Sequence, residues 1–278
     1  MFSPRYWTFF IIVLAAIAYS MIRYSNQPEL TVSPADTFNY RTVTLDNGLQ
    51  VMLVNTPDSQ KAAAAVTVDV GSGDDPADRE GLAHFLEHML FLGTEPYPEP
   101  GEYQAYISRH GGSHNAFTAH SQTTYFFEID NKALEGALDR FAPFFISPTF
   151  DAAYVEREKN AVHAEYSSKL RDDFRRIYSA EKMAMNPQHP FSQFATGNLD
   201  TLSDREGDKV RDDLLEFYKK HYSAERMTAV VAGNYSLDQL ETWARGHFAD
   251  VPVHHTEPRS ERPPLFKPGQ LPLDMNIE

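Results

Sequence analysis

Residues 84–88 read His-Phe-Leu-Glu-His, and apolar side chains enclose them: Leu82, Phe85, Leu86, Met89, Leu90, Phe91 and Leu92 make a helix through this stretch apolar nearly all round. A helix of that kind is buried. Two imidazoles and a carboxylate therefore enter the interior, where polar groups are costly unless partnered. His84 and His88 stand four residues apart on one helical face, so both can reach a single metal ion. Glu87 projects beside them, where a carboxylate can take a proton from water held at the metal. The plainer alternative is a buried helix whose histidines are satisfied by backbone groups.

A hydrolytic zinc site usually takes three protein ligands, so the pair needs a third from another element. Residues 151–170 offer one, because Glu158, Val162 and Glu165 follow i, i+4, i+7 spacing and share a helical stripe. If Val162 faces the core, both carboxylates face it too, and each then requires a cation or a histidine N–H. The competing reading pairs them with Arg or Lys on a solvated face.

At this point the chain resembles the pitrilysin/insulysin peptidases, the inverzincins, whose signature is H-x-x-E-H followed after a long spacer by a glutamate ligand in an E-x-x-x-x-x-x-E context. His84 to His88 followed by Glu158 and Glu165 fits that pattern. The likeness runs from about Tyr40 to about Pro252 and includes Met89 to Thr94, Gly111 to Thr118, Leu134 to Phe141, His189 to Ser192 and Gly197-Asn198. It is nearer to the long insulysin-like members than to the mitochondrial processing peptidases. The resemblance implies that His84, His88 and Glu165 bind one zinc ion per chain, that Glu87 is the general base of a zinc-dependent endopeptidase, and that Glu158 orients a zinc-binding histidine. It also implies a C-terminal half, or a partner subunit, which closes over the substrate and brings an arginine and a tyrosine to the reacting carbonyl. The rival expectation is a non-catalytic scaffold or binding member of the same family, though such members usually carry an eroded motif.

His110 and His114 form another i, i+4 pair, but Gly111 and Gly112 break any helix between them, so a second metal site is not expected there. The glycines read as a helix stop followed by extended chain. The resemblance makes that extension an edge strand to which peptide substrates add antiparallel, with Asn115 and Ala116 offering backbone hydrogen bonds and Phe117 bordering a side-chain pocket. Phe117 as plain core is the alternative.

Elsewhere the pattern is α+β, and the resemblance implies a mostly antiparallel sheet flanked by helices, the metallopeptidase half-domain of this family. Asp46-Asn47-Gly48 sits between two short strands within 41–54 as a hairpin signal. Ala62 to Val70, Thr123 to Asp130 and Arg226 to Gly233 read as further strands. Leu134, Leu138, Phe141 and Phe145 form a helical stripe, and Ser203 to Glu206 and Ser236 to Gln239 read as capping boxes opening later helices.

The ends differ in kind. Tyr6 to Ile22 carries no charge and is bounded by Arg5 and Arg23, so residues 1–24 read as a signal peptide or a membrane anchor, and in either case the remainder is exported to a periplasmic or extracytoplasmic space. Residues 25–38 form a polar linker, 39–250 the zinc metallopeptidase domain. Residues 251–278, with Pro252, Pro258, Pro263, Pro264, Pro268 and Pro272, read as a linker leading to an absent second domain, as in a fragment, a truncated product or half of a split pair. The chain has no cysteine, which excludes disulfides and thiolate ligands. Its net charge of −14 makes nucleic acid a poor partner and suits neutral or cationic peptides.

Overall fold

The computed structural model describes residues 30–254 and 261–271. The apolar run at 6–22 lies outside them, and among the described residues no helix is long and apolar enough to cross a membrane. Residues 30–37 belong to a separate unit from residues 38–278 and contain one turn, closed by Asp36 N–H donating to the Ser33 carbonyl.

Six strands form one sheet in the order β1-β2-β6-β3-β5-β4. They are β1 (Asn39–Thr44), β2 (Gln50–Asn55), β3 (Lys61–Val68), β4 (Ser113–Thr118), β5 (Thr123–Asp130) and β6 (Met227–Gly233). Every pairing is antiparallel except β2 with β6, which runs parallel, so the mostly antiparallel α+β architecture expected from the sequence is the one found. The first hairpin turns at Gly48, whose φ of 87° is the left-handed conformation glycine tolerates. Asn47 secures it by donating its side-chain N–H groups to the carbonyls of Phe248, Ala249 and Val251.

Burial alternates along the strands. In β3, Ala62, Ala64, Val66 and Val68 are buried while the residues between them are not, the mark of a sheet with one face against the core. That core is filled by α1 (Leu82–Leu90), α2 (Glu102–Arg109), α3 (Leu134–Phe141), α4 (Ala152–Lys169), α6 (Val210–His221) and α7 (Leu237–Phe248). By contrast, α5 (Asp173–Ala184) buries none of its residues.

Two features position α1. The glycine pair ends α2 as expected, and β4 follows as the edge strand of the sheet. Arg79, 2% exposed, ties the approach to α1 to the start of α6: its Nε lies 2.5 Å from Asp213 Oδ2, and its Nη2 3.1 Å from Asp208 Oδ2. The same guanidinium takes the Ser203 carbonyl. One helix start departs from the sequence reading. Ser203 to Glu206 opens no helix, because Gly207 turns left-handed with φ 75° and α6 begins only at Val210, whose N–H is accepted by Asp204. At Ser236 the cap forms as read, its hydroxyl accepting Gln239 N–H.

Candidate metal centre

On α1, Leu82, Phe85, Leu86, Met89 and Leu90 are all buried, and the helix packs against α4, α6 and β4. This fixes the face that carries His84 and His88. Their rings meet edge to face with centroids 4.8 Å apart. On α4, Val162 is fully buried and turns the flanking carboxylates toward α1.

The result is convergence of three donors. His84 Nε2 lies 3.5 Å from Glu165 Oε2, His88 Nε2 lies 3.6 Å from the same oxygen, and ligand atoms of all three residues fall within 4.8 Å of one another. Tetrahedral zinc with bonds of about 2.0–2.2 Å needs ligand atoms roughly 3.4 Å apart. Two of the separations already approach that value.

The remaining ring nitrogens are also engaged. His84 Nδ1 donates to the Thr196 carbonyl at 2.7 Å, and His88 Nδ1 lies 3.5 Å from Glu158 Oε2. Each Nε2 is thus left to face the gap between α1 and α4, as zinc-binding histidines require. The donor set suits zinc.

The two sequence readings of Glu158 and Glu165 both hold, on different oxygens. Each carboxylate gives Oε2 to histidine; Oε1 of Glu158 meets Arg157 at 3.2 Å, and Oε1 of Glu165 meets Lys169. Together with the histidines, these cations hold both carboxyls below their ordinary range, the bond with His88 being the largest cause for each. Burial pushes the His88 imidazole down, but the bonds to Glu158 and Glu165 outweigh it and raise its pKa to about 9. His84 goes the other way, lowered by burial and by the neighbouring His88.

Glu87 is 7% exposed, and its Oε2 accepts the Thr118 hydroxyl at 2.5 Å. Burial raises its pKa, opposed by that bond. Thr118 closes β4, so the strand carrying Asn115, Ala116 and Phe117 also touches the carboxylate beside the histidines. Along that strand Ala116 N–H donates to the Asn115 side-chain carbonyl at 2.9 Å, and Phe117 is 46% exposed rather than part of the core. His110 and His114 do not join the cluster: His110 Nδ1 bonds the Tyr106 carbonyl, and His114 packs against Phe91 and Tyr103.

Thr118 and Thr196 escaped the reading of the sequence. Each lies far along the chain from the residue it touches, and a hydroxyl or carbonyl leaves no spacing signal.

Known proteins resemble this chain. A family profile described as Insulinase (Peptidase family M16) matches residues 50–188, and one described as Peptidase M16 inactive domain matches residues 209–274. Human insulin-degrading enzyme is 45% identical over 225 residues, covering 80% of this chain and 22% of the relative. The A-factor-processing enzyme of Saccharomyces cerevisiae is 42% identical over 85% of this chain and 23% of its own length. Protease 3 of Escherichia coli is 42% identical over 81% of this chain and 24% of its own. A crystal structure of pitrilysin superposes with a TM-score of 0.85 at 40% identity, over 88% of this chain and 26% of that one. The chain thus spans about a quarter or less of the length of these relatives.

Proposed function

The chain belongs to the insulinase family of peptidases, peptidase family M16, and on that premise we propose that residues 39–250 are the zinc-bearing domain of an endopeptidase, with His84, His88 and Glu165 as ligands. The observation that carries this reading is the convergence of both Nε2 atoms on Glu165 while both Nδ1 atoms are engaged elsewhere.

Zinc bound there would supply Lewis-acid polarisation of a peptide carbonyl and a lowered pKa for water. The protein's own residues do the rest. Glu87 accepts the proton of the attacking water and returns it to the departing amine; its burial raises its affinity for that proton, and Thr118 holds the carboxylate in place. Glu158 and the Thr196 carbonyl orient the two imidazoles. Along β4, an extended peptide pairs antiparallel with the edge, displacing the Asn115 side chain from Ala116 N–H, and Phe117 borders a pocket for one of its side chains. Main-chain pairing of this kind is tolerant of peptide sequence. A C-terminal half or partner subunit completes the site, and the uncharged run at 6–22 directs the domain out of the cytoplasm, cleaved or retained as an anchor.

Metal analysis of chain purified without chelator should find one zinc per chain, lost in His84→Ala and in Glu165→Ala. Glu87→Gln should keep the zinc and lower peptide hydrolysis about 10²–10⁴-fold. Zinc-free protein that takes up no stoichiometric metal would sink the reading. A zinc-loaded chain that binds peptides but hydrolyses none, even with a C-terminal half added, would favour the non-catalytic scaffold.

A further inference from the structure

The first turn of α1 has no ordinary cap. Its N-cap position is Gly81, with φ 89° and no side chain to accept the opening N–H groups. Asp75 does this from a distance, its Oδ2 accepting Gly81 N–H and its Oδ1 accepting Ala83 N–H, both at 2.8 Å. The carboxylate is 6% exposed.

On the other side the backbone of Thr196-Gly197 presses directly on Gly81. A Cβ at position 81 would fall 2.2 Å from Gly197 Cα and 2.3 Å from Gly197 N, so the approach needs a glycine at 81; at Gly197, where φ is 79°, an added Cβ would clear Gly81 at 3.4 Å and meet Leu202 Cδ1 at 2.9 Å instead. The contact brings the preceding carbonyl, that of Thr196, to 2.7 Å from His84 Nδ1.

A carbonyl oxygen only accepts, so His84 must carry its proton on Nδ1 and present a lone pair at Nε2. Free neutral imidazole in a histidine side chain prefers the opposite tautomer. His88 is oriented differently, by a carboxylate, which favours a second proton on the ring as well as orienting it. A neutral carbonyl selects the tautomer with a much weaker pull toward imidazolium.

We propose that Gly81 and Gly197 form a tautomer clamp: their backbone contact seats the Thr196 carbonyl on His84 and sets that ring to bind metal through Nε2 before any metal arrives. Gly81, Thr196 and Gly197 are positioning residues, acting through His84. The clamp rests on the reading of His84, His88 and Glu165 as a metal site, yet it is measurable without metal or substrate.

The experiment is nitrogen NMR of zinc-free chain labelled with ¹⁵N-histidine, the His84 signals being identified by their loss in His84→Ala. Wild-type His84 should be protonated on Nδ1. Gly81→Ala should push the two backbones apart, shift the population toward the Nε2-protonated form and weaken zinc binding about 10–100-fold in chelator competition. Gly207→Ala is the control, since Gly207 has a similar φ of 75° but no neighbour within 4 Å of an added Cβ; it should change neither reading. Gly197→Ala strains the left-handed turn that follows the Thr196 carbonyl and should act in the same direction, less strongly. The proposal is overturned if wild-type His84 carries its proton on Nε2, or if folded Gly81→Ala keeps the tautomer and the zinc affinity; where Gly81→Ala does not fold, the same criterion applies to Gly197→Ala. Should neither variant fold, the wild-type tautomer decides alone. A zinc-loaded chain with Nδ1-protonated His84 that hydrolyses no peptide even with a C-terminal half added counts against the peptidase reading and leaves the clamp standing.

Discussion

The helices α1 and α4 meet at the same three donors but are built by opposite rules. In α1 the histidines ride on a helix buried on most of its circumference, so their positions are set by packing. In α4 only Val155, Lys159 and Val162 are buried, and the carboxylates are held by ion pairs at its partly solvated face. Side-chain exposure is 14% for His84 and 25% for His88, against 14% for Glu158 and 33% for Glu165. One helix supplies fixed nitrogens; the other supplies oxygens whose charge is balanced by neighbours. A metal between them joins a rigid half to an adjustable half.

Packing is the first place to break that contrast. Phe85 is fully buried between the two histidines in sequence, and Phe85→Ala should cost about 3–5 kcal/mol in chemical unfolding of the metal-free chain. On α4, Ser167 is exposed, and Ser167→Ala should stay within about 0.5 kcal/mol. Equal losses at the two positions would mean that α4 is anchored as deeply as α1.

The adjustable half is tested by Glu158→Gln. It keeps the shape of the side chain but removes the charge facing His88 Nδ1, and zinc affinity should fall about 10–100-fold. Thermal stability of the zinc-free chain should move far less than in Phe85→Ala. Unchanged zinc affinity would show that Glu158 serves Arg157 alone.

This contrast also explains what the sequence could disclose. The α1 stripe was legible because burial and ligand spacing occupy the same nine residues, Leu82 to Leu90. The i, i+4, i+7 stripe of α4 pointed to Val162 and both glutamates, but periodicity could not choose between histidine and cation partners, and the structure uses both. Strands, the hairpin at Gly48 and the helix stop before β4 follow local chemistry and were readable. The missed contacts are long-range: Thr196 is 112 positions from His84, and Thr118 is 31 from Glu87. The capping box at Ser203 failed because Gly207 and the Arg79 guanidinium, neither part of the box, claim that segment first.

The last effect expected separates the two histidines by charge. His88 has a pKa of about 9 in the metal-free chain because its bonds to Glu158 and Glu165 overcome burial, whereas burial lowers that of His84. Zinc must displace the His88 proton, so apparent affinity should rise about tenfold per pH unit from pH 6.5 until it levels near pH 9. The same proton stabilises the zinc-free fold: a pKa raised above the unfolded value gives a contribution complete below about pH 6.5 and lost as pH rises through about 9. Zinc-free chain should therefore melt at lower temperature at pH 9.5 than at pH 7 more steeply in wild type than in His88→Gln. Glu158→Gln should draw the levelling point of the zinc profile toward lower pH, since it removes one of the two carboxylates that hold the proton. A zinc affinity flat between pH 6.5 and 9 would mean that His88 is already neutral, and that α4 balances its carboxylates through Arg157 and Lys169 instead.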